Sequence, residues 1–156
     1  MRSLKALKRD KGFTIVELLI VIVVIGILAT LVIVTFSGIQ QRARDTQRQT
    51  DINAIQGHME AYYAQNGTYP TLAMVTNSTW RAANMKGLDP EALDAPDGTT
   101  IAATAAANGH YQLTTTAGGA ACTVTGTGAA MTSDCDAYTL TADLEGSTTN
   151  YVKQSN

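Results

Sequence analysis

The sequence predicts an α+β fold, in which a long N-terminal helix packs against a small antiparallel β-sheet. Three observations predict it. Residues 13–36 form an uninterrupted apolar run with a single charged side chain, Glu17. Residues 37–66 continue with good helix formers and no proline. From Thr68 onward the chain is rich in Thr, Ala, Gly and Asn, and in short segments β-branched or aromatic residues alternate with small or polar ones.

The apolar run is long enough to cross a membrane. Its 24 residues would cover roughly 36 Å as a helix, against about 30 Å for the hydrocarbon core of a bilayer. Five of the eleven Lys and Arg residues lie in the first twelve residues, against one acid. By the positive-inside bias, the N-terminus is expected in the cytoplasm and the chain beyond Phe36 outside it. The run is too long for an ordinary cleaved secretory signal, so that alternative is disfavoured.

The second half of the predicted helix is amphipathic. Apolar residues at i, i+3, i+7, i+10 and i+11 fall on one side of it and are expected to face the sheet: Ile52, Ile55, Met59, Tyr62 and Tyr63. Asn66 and Gly67 can form a left-handed cap, and Pro70 prevents the helix from resuming. One continuous helix of about 50 residues, ending near Asn66, is therefore predicted.

The C-terminal part of the chain, residues 68–156, is predicted to form a globular head. A short helix is expected at 79–86, and Pro90 and Pro96 mark a connecting loop. Strand-like segments follow at 110–116, 121–126, 137–144 and 150–154. Because hairpins of this size are marginally stable alone, one face of their sheet should pack on the apolar side of the helix.

Glu17 is the residue that most needs an explanation. A carboxylate costs about 2.5 to 3.5 kcal/mol at the centre of a membrane span and less near its end, so a compensating cation is expected. The apolar run itself contains no cation. The alternative is that Glu17 lies near the membrane interface, reaches water and has no specific role.

Residues 11–36 resemble the class III signal of type IV pilins and of the related type II secretion pseudopilins. The resemblance rests on a short basic leader that ends at Gly12, on Phe13 directly after it, on Glu17 as the fifth residue of the mature chain, and on the apolar run. It continues through ARDTQRQTDINAIQ and YYAQNGTYP. The resemblance implies that a prepilin peptidase cuts between Gly12 and Phe13 and methylates the new amine of Phe13.

In this family the partner of the glutamate is the N-terminal amine of a neighbouring subunit. The resemblance therefore implies that Glu17 and Phe13 are assembly residues. It also implies a cleavable leader (1–12), a membrane and filament-core helix (13–36), an amphipathic continuation of that helix (37–67) and the head (68–156). Many members carry proline at the position of Val34, so the usual cause of a kink is missing there. Gly26 and the Ser37–Gly38 pair remain as weak points of the helix.

Cys122 and Cys135 are the two cysteines of the sequence, and both lie outside the cytoplasm in this topology. A disulfide between them is predicted, with two free buried thiols as the alternative. No metal site is predicted, because His58 and His110 lack the spaced companions that zinc requires. Asp134 and Asp136 flank Cys135, but the ligands of the calcium site known in major pseudopilins cannot be placed residue by residue on this chain, so calcium stays as an open alternative. No cofactor is predicted either.

Charged residues follow the apolar run closely: Arg42, Arg44, Asp45, Arg48 and Asp51. They are expected either as a solvated helix face with pairs at i+3 and i+4, or as partners of neighbouring subunits in a filament. From Phe13 onward there are six basic and twelve acidic residues, which argues against direct binding of nucleic acid. The sequence has no nucleophile elbow, Walker sequence or metalloprotease helix, so catalysis is not expected.

The resemblance predicts a structural function, as the repeating subunit of a type IV pilus. The subunit would be a single-pass protein of the cytoplasmic membrane before assembly and part of a surface filament afterwards. The implied partners are further copies of the chain, the prepilin peptidase, an assembly ATPase and its membrane platform. The main alternative is a pseudopilin of a type II secretion or DNA-uptake pseudopilus. A third hypothesis, a single-pass anchor that presents a binding domain, would not depend on the junction of Gly12 and Phe13.

Overall fold

The computed structural model describes residues 12–104 and 109–155, with the backbone only for Val34. The chain divides into two compact units, one that ends at Ile39 and one that begins at Gln40. Helix α1 spans Ile15–Asn66 as a single element, which confirms the prediction of one continuous helix. Residues 1–11 of the predicted leader lie outside the described residues.

Helix α1 ends where the sequence supplies a cap. Gly67 has a φ of 74°, a left-handed conformation that glycine adopts without steric cost. Its N–H donates to the carbonyl of Tyr63 at 2.7 Å, and the side-chain amide of Asn66 donates to the carbonyl of Tyr62 at 3.0 Å. Two carbonyls that the helix end would leave unpaired are thereby satisfied.

Two short helices, α2 (Leu72–Thr76) and α3 (Ser78–Asn84), follow and share Asn77 as a capping residue. The Asn77 side chain accepts the backbone N–H of Trp80 at 3.0 Å, which satisfies a donor at the start of α3. Helix α3 confirms, at slightly different bounds, the helix predicted at 79–86. The sequence does not predict α2, because five residues are too few to show a helical period.

The sheet is antiparallel and has the strand order β2-β1-β5-β6. The strands are β1 (Tyr111–Ala117), β2 (Ala120–Ala121), β3 (Val124–Thr125), β4 (Thr132–Ser133), β5 (Ala137–Ala142) and β6 (Tyr151–Gln154), of which β3 and β4 form a separate pair. Tyr111 lies opposite Ala142 and Leu113 opposite Leu140, and all four are buried. Three of the four predicted strands, now β1, β5 and β6, are confirmed.

The prediction of a single strand at 121–126 is wrong. Ala121 ends β2 and pairs with β1, whereas Val124 begins β3 and pairs with β4. Between them, the carboxylate of Asp134 accepts the backbone N–H of Thr123 at 2.7 Å and its hydroxyl at 2.6 Å. This N–H is therefore not available for a hydrogen bond to a neighbouring strand, which separates β2 from β3. An alternating sequence pattern does not reveal such a side-chain hydrogen bond.

The hydrophobic core lies in the unit that begins at Gln40. Side chains of α1, of the short helices and of the sheet form one buried cluster, whose largest fully buried members are Trp80, Tyr111, Ile52, Ile55, Met59, Met74, Leu113 and Leu140. The predicted apolar side of the helix and the α+β fold class are thus confirmed. Tyr63 is the exception: it is 40% exposed, because it lies about 100° further round the helix than the buried Tyr62.

Candidate processing and assembly site

The chain reaches α1 through three residues without regular structure, Gly12, Phe13 and Thr14. The side chain of Phe13 is 84% exposed. A β-carbon added to Gly12 would meet no described heavy atom within 4 Å. The packing of the described residues therefore gives no reason for glycine at this position.

Glu17 is bound by the start of its own helix. Its Oε2 accepts the backbone N–H of Thr14 at 2.9 Å and the Thr14 hydroxyl at 2.7 Å, and the Glu17 N–H donates to the Thr14 hydroxyl oxygen at 3.2 Å. This reciprocal arrangement is a capping box, in which a Thr before the helix and a Glu three residues later satisfy each other's backbone donors. The sequence interpretation names Glu17 but misses Thr14, although TIVE at 14–17 carries the capping-box signature.

Phe13 and Glu17 are not joined by a hydrogen bond within the described chain. While Phe13 is linked to Gly12, its nitrogen belongs to a peptide bond and carries no charge. A charged partner for Glu17 at this position therefore requires cleavage of that bond. No described cation lies within ion-pair distance of Glu17.

The apolar first part of α1 is uncovered in the described chain. Every large apolar side chain described between Phe13 and Ile39 is at least 48% exposed. The hydroxyls of Thr30 and Thr35 donate to the backbone carbonyls four residues earlier, both at 2.9 Å, so they do not need water. The helix is long and apolar enough to cross a membrane. Apolar surface of this extent needs lipid or other apolar helices as its surroundings.

A buried arginine marks a second cluster, in the unit that begins at Gln40. Arg48 is 2% exposed, and its guanidinium donates to Asp45 at 2.8 Å, to Glu145 at 2.5 Å and to the carbonyl of Gly109 at 3.0 Å. The contact with Asp45 is one of the predicted i+3 pairs. The interpretation of this stretch as a solvated helix face is nevertheless wrong for Arg48, because its side chain is buried and fully engaged.

Glu145, in the loop between β5 and β6, completes this cluster. Arg44 donates to both of its carboxylate oxygens, and Asp45 accepts the backbone N–H groups of Glu145 and Gly146 at 2.9 and 2.8 Å. Hydrogen bonds from Arg44 and then Arg48 lower the pKa of Glu145 to about 2. Glu145 is 97 positions from Arg48, so no local sequence pattern could identify it as a partner.

Glu60, on the second part of α1, binds two tyrosines of the core. It accepts the hydroxyl of Tyr69 at 3.1 Å and that of Tyr138 at 2.7 Å. Burial, followed by the hydrogen bond to Glu60, raises the pKa of Tyr69 to about 12 and raises the pKa of Tyr138 as well. Through these two hydroxyls, Glu60 joins α1 to β5 and to the segment that directly follows the helix.

Cys122 and Cys135 are joined by a disulfide, with their Cα atoms 5.3 Å apart. The bridge closes the segment that contains β3 and β4. This segment is also bound to α3 and to the chain between α1 and α2: the indole N–H of Trp80 donates to the carbonyl of Met131 at 2.9 Å, and the N–H of Tyr69 donates to the carbonyl of Cys135 at 2.9 Å. The cross-link thus holds a segment that packs on α3.

One group of described side chains has the proximity of metal ligands. Candidate ligand atoms of Cys122, Asp134 and Cys135 lie within 4.8 Å of one another. Both sulfurs are in the disulfide and are not thiolates, the form that binds metals. The carboxylate of Asp134 is engaged by Thr123, whose hydroxyl and N–H lower the pKa of Asp134. This group stabilises a loop and does not offer a suitable ligand set.

Comparison with known proteins gives one family match and several relatives. Residues 7–33 match the family described as the prokaryotic N-terminal methylation motif. The type II secretion system core protein G of Klebsiella pneumoniae is 30% identical over 59% of this chain and 64% of the relative. The corresponding protein of Vibrio cholerae is 33% identical over 49% of this chain and 56% of the relative. The type IV major pilin protein PilA of Myxococcus xanthus is 32% identical over 47% of this chain and 33% of the relative.

These similarities are partial. The chain spans less than two thirds of the length of each of these three relatives. No solved structure matches it. The family match includes Gly12, Phe13 and Glu17 and ends before the unit that begins at Gln40.

Proposed function

We propose that the chain is the structural subunit of a type IV pilus, and thus a member of the family of type IV pilins and type II secretion pseudopilins. The main support is the match of residues 7–33 to the methylation motif. The uncovered apolar surface of α1 supports it further, because that surface needs lipid or copies of the same helix. Membrane lipid covers this surface before assembly, and neighbouring helices cover it in the filament.

A prepilin peptidase cuts between Gly12 and Phe13 and methylates the new amine of Phe13. The bond precedes α1, so its backbone is not engaged in helical structure, and glycine has no side chain to obstruct an enzyme. Cleavage turns an uncharged peptide nitrogen into an amine that is largely protonated at neutral pH. Processing therefore creates the cation that the apolar run lacks.

The new cation pairs with Glu17 of a neighbouring subunit. Glu17 is the only charged residue between Phe13 and Phe36, so a single ion pair can define the relative height of two apolar helices. In a low-dielectric surrounding such a pair is much stronger than in water, and an unpaired charge is correspondingly unfavourable. The pairing thus specifies the axial register of a filament whose other core contacts are non-directional.

The remaining partners are those of the assembly machinery. An assembly ATPase and its membrane platform move the processed subunit out of the bilayer. The subunit begins as a single-pass protein with its N-terminus in the cytoplasm and ends in a filament on the cell surface. Its role is structural, without catalysis and without direct contact with nucleic acid.

A pseudopilin is the second candidate, and the relatives favour it, because two of them are core protein G of type II secretion systems. The same processed chain would then form a short pseudopilus for protein secretion or for DNA uptake. The two candidates share the cleavage, the fold and the pairing of Glu17. They differ in the length of the filament and in the defect that follows loss of the protein.

Electron microscopy and mass spectrometry of material sheared from cells test the proposal. Long fibres whose main component begins at methylated Phe13 are expected for a pilus. The absence of long fibres, together with a secretion or DNA-uptake defect in a deletion strain, would favour the pseudopilin. A chain that works normally while keeping residues 1–12 would exclude both and leave the single-pass anchor.

Variants of Glu17 test the pairing separately. Glu17→Gln should still be cleaved, because the peptidase acts at the junction of Gly12 and Phe13, but it should not assemble. Glu17→Asp keeps the charge on a shorter side chain and should assemble in part. Thr30→Val is the control, since it removes a polar group from the same helix without touching the charge. Wild-type filament levels in Glu17→Gln would contradict the pairing.

A further inference from the structure

We propose that Thr14 is a positioning residue for Glu17, which fixes the carboxylate for the incoming amine of the neighbouring subunit. This inference rests on the proposed pairing and adds a residue on the acceptor side of it. It is carried by the three hydrogen bonds of the capping box, in which the Thr14 N–H and hydroxyl both reach the same carboxylate oxygen.

At the start of a membrane helix, the capping box provides hydrogen bonds for two kinds of group that lipid would leave unpaired. The first N–H groups of any helix have no partner in the helix itself, and lipid supplies none. The carboxylate of Glu17 also needs donors, because a buried polar group without hydrogen bonds is unfavourable. Thr14 supplies donors to the carboxylate, and the carboxylate accepts one of the free N–H groups. The subunit can therefore wait in the membrane with its acid partly satisfied.

The same contacts leave Glu17 ready to pair. Both donors of Thr14 bind Oε2, and Oε1 accepts no hydrogen bond from a described residue. A glutamate side chain is otherwise free to rotate, and ordering it on binding costs free energy. Because Thr14 already orders the Glu17 side chain in the single subunit, this free energy is not lost again when the neighbour binds. Its donors are neutral, so the charge of Glu17 is still available to the amine.

An ordinary helix cap is the competing explanation for Thr14, and three substitutions separate it from positioning. Glycine is about as good as threonine at the start of a helix, serine is somewhat better, and valine is much poorer. Glycine and valine, however, have no hydroxyl. If Thr14 were only a cap, Thr14→Gly would behave like wild type and Thr14→Val would not. If Thr14 positions Glu17, both should fail and Thr14→Ser should be active.

The first readout is the assembled fraction of the cleaved chain in cells, with cleavage at Gly12 checked by mass spectrometry. Thr14→Gly and Thr14→Val should lower that fraction by roughly tenfold, the effect of one lost hydrogen bond to a charged group. Thr14→Ser should assemble at the wild-type level. Assembly of Thr14→Gly at the wild-type level would overturn the proposal.

The second readout does not depend on assembly. The NMR chemical shift of the Glu17 carboxyl carbon is measured at neutral pH in full-length cleaved chain dissolved in detergent. Wild type and Thr14→Ser should share one shift, and Thr14→Gly and Thr14→Val should share another. Identical shifts in all four proteins would overturn the role of Thr14 alone. If wild type formed no filament or pseudopilus in cells, the proposed function would fail and the positioning role with it, whatever the shifts.

Discussion

At the scale of single residues, the Arg48 cluster and the capping box of Glu17 differ in whether the charge is neutralised within the described chain. Arg48 is buried with two carboxylates and a carbonyl as partners, so its charge is neutralised within the chain. Among the described residues, Glu17 receives only the neutral donors of Thr14, so within them its charge is hydrogen-bonded but not neutralised. A neutralised cluster stabilises a fold, whereas a charge without an opposite charge still attracts a partner. This difference agrees with a structural role for the ion network of Arg48 and with the assembly role proposed for Glu17.

Glu145→Gln should destabilise the unit that begins at Gln40 by about 1–3 kcal/mol, because Arg48 stays buried and loses one of its two charged partners. This loss is measured by urea unfolding of the full chain in detergent, with the fluorescence of Trp80 as the probe. Trp80 is the one tryptophan of the sequence and is buried. Glu91→Gln is the control, since Glu91 is exposed and has no ion pair within the described residues. Equal effects of the two variants would contradict the role of Glu145.

The contribution of Glu145 should disappear in acid. Its pKa is about 2 in the folded chain, below the ordinary value of 4.5. A carboxyl whose pKa is lower in the folded than in the unfolded state stabilises the fold above the unfolded pKa. That stabilisation decreases as the pH falls from 4.5 toward 2. The difference in unfolding free energy between wild type and Glu145→Gln should therefore shrink over this interval. A difference that stayed constant would count against the ion network.

At the scale of elements, the sequence predicts what local signals determine. Helix α1 is predicted because an apolar run and an amphipathic run follow one another without proline, and its end because Gly67 can adopt a left-handed conformation. Strands β1, β5 and β6 are predicted by alternation. The break between β2 and β3 is not, because it depends on Asp134, which is eleven positions from Thr123.

The same distinction applies to the candidate sites. Gly12, Phe13 and Glu17 are predicted from spacing in one short segment, and Thr14 could have been identified in the same way. The burial of Arg48 could not, because its charged partner Glu145 is brought to it only by the folding of the sheet. Local patterns are therefore enough to name candidate residues in the first unit, whereas they do not reveal the ion network of the second unit.

Two glycines of α1 and its cap should respond oppositely to alanine. Gly67→Ala should destabilise the fold by about 1–2 kcal/mol, because an alanine at its positive φ is strained although no atom lies within 4 Å. Gly57→Ala should stabilise it by about 0.5–1 kcal/mol, because Gly57 lies within the helix with open space at the β-carbon. Urea unfolding of both variants tests this. Stabilisation by Gly67→Ala would contradict the assignment of the cap, and destabilisation by Gly57→Ala would contradict the open space at that position.

Reduction of the bridge between Cys122 and Cys135 should lower the unfolding free energy by about 3 kcal/mol in the chain-entropy model, given a loop of this length. A mass increase of two hydrogens on reduction would establish that the bridge is present. The fluorescence of Trp80 should also change, because its indole N–H donates to Met131 within the closed segment. Unchanged stability after complete reduction would show that the segment is held by its other contacts alone.

At the scale of the whole molecule, the two units differ in how they satisfy their apolar surface. In the described part of the first unit, every residue with a described side chain is exposed. All members of the core cluster lie in the unit that begins at Gln40. The second unit therefore has the attributes of an independent domain, and the first does not. This division suits the proposed filament subunit, because assembly would exchange lipid for neighbouring helices without unfolding the head.

Removal of residues 1–39 should leave a soluble, folded protein. Residues 40–156 retain the core, the disulfide and the ion network of Arg48, and lose the large exposed apolar surface of the first unit. Sedimentation should show a monomer in water without detergent, and urea unfolding followed by Trp80 should be a single cooperative transition. Aggregation or a non-cooperative transition would mean that the second unit depends on the first.

A slightly longer truncation gives this prediction its control. Removal of residues 1–48 also deletes Arg44, Asp45 and Arg48, but keeps Ile52 and the rest of the apolar side of the helix. Glu145 and the backbone N–H groups beside it then lose their partners. The 49–156 fragment should be less stable than the 40–156 fragment by about 3 kcal/mol or more, because a whole buried network is lost. Equal stability of the two fragments would show that the hydrophobic core alone defines the domain, and that its boundary lies after Arg48 and not at Gln40.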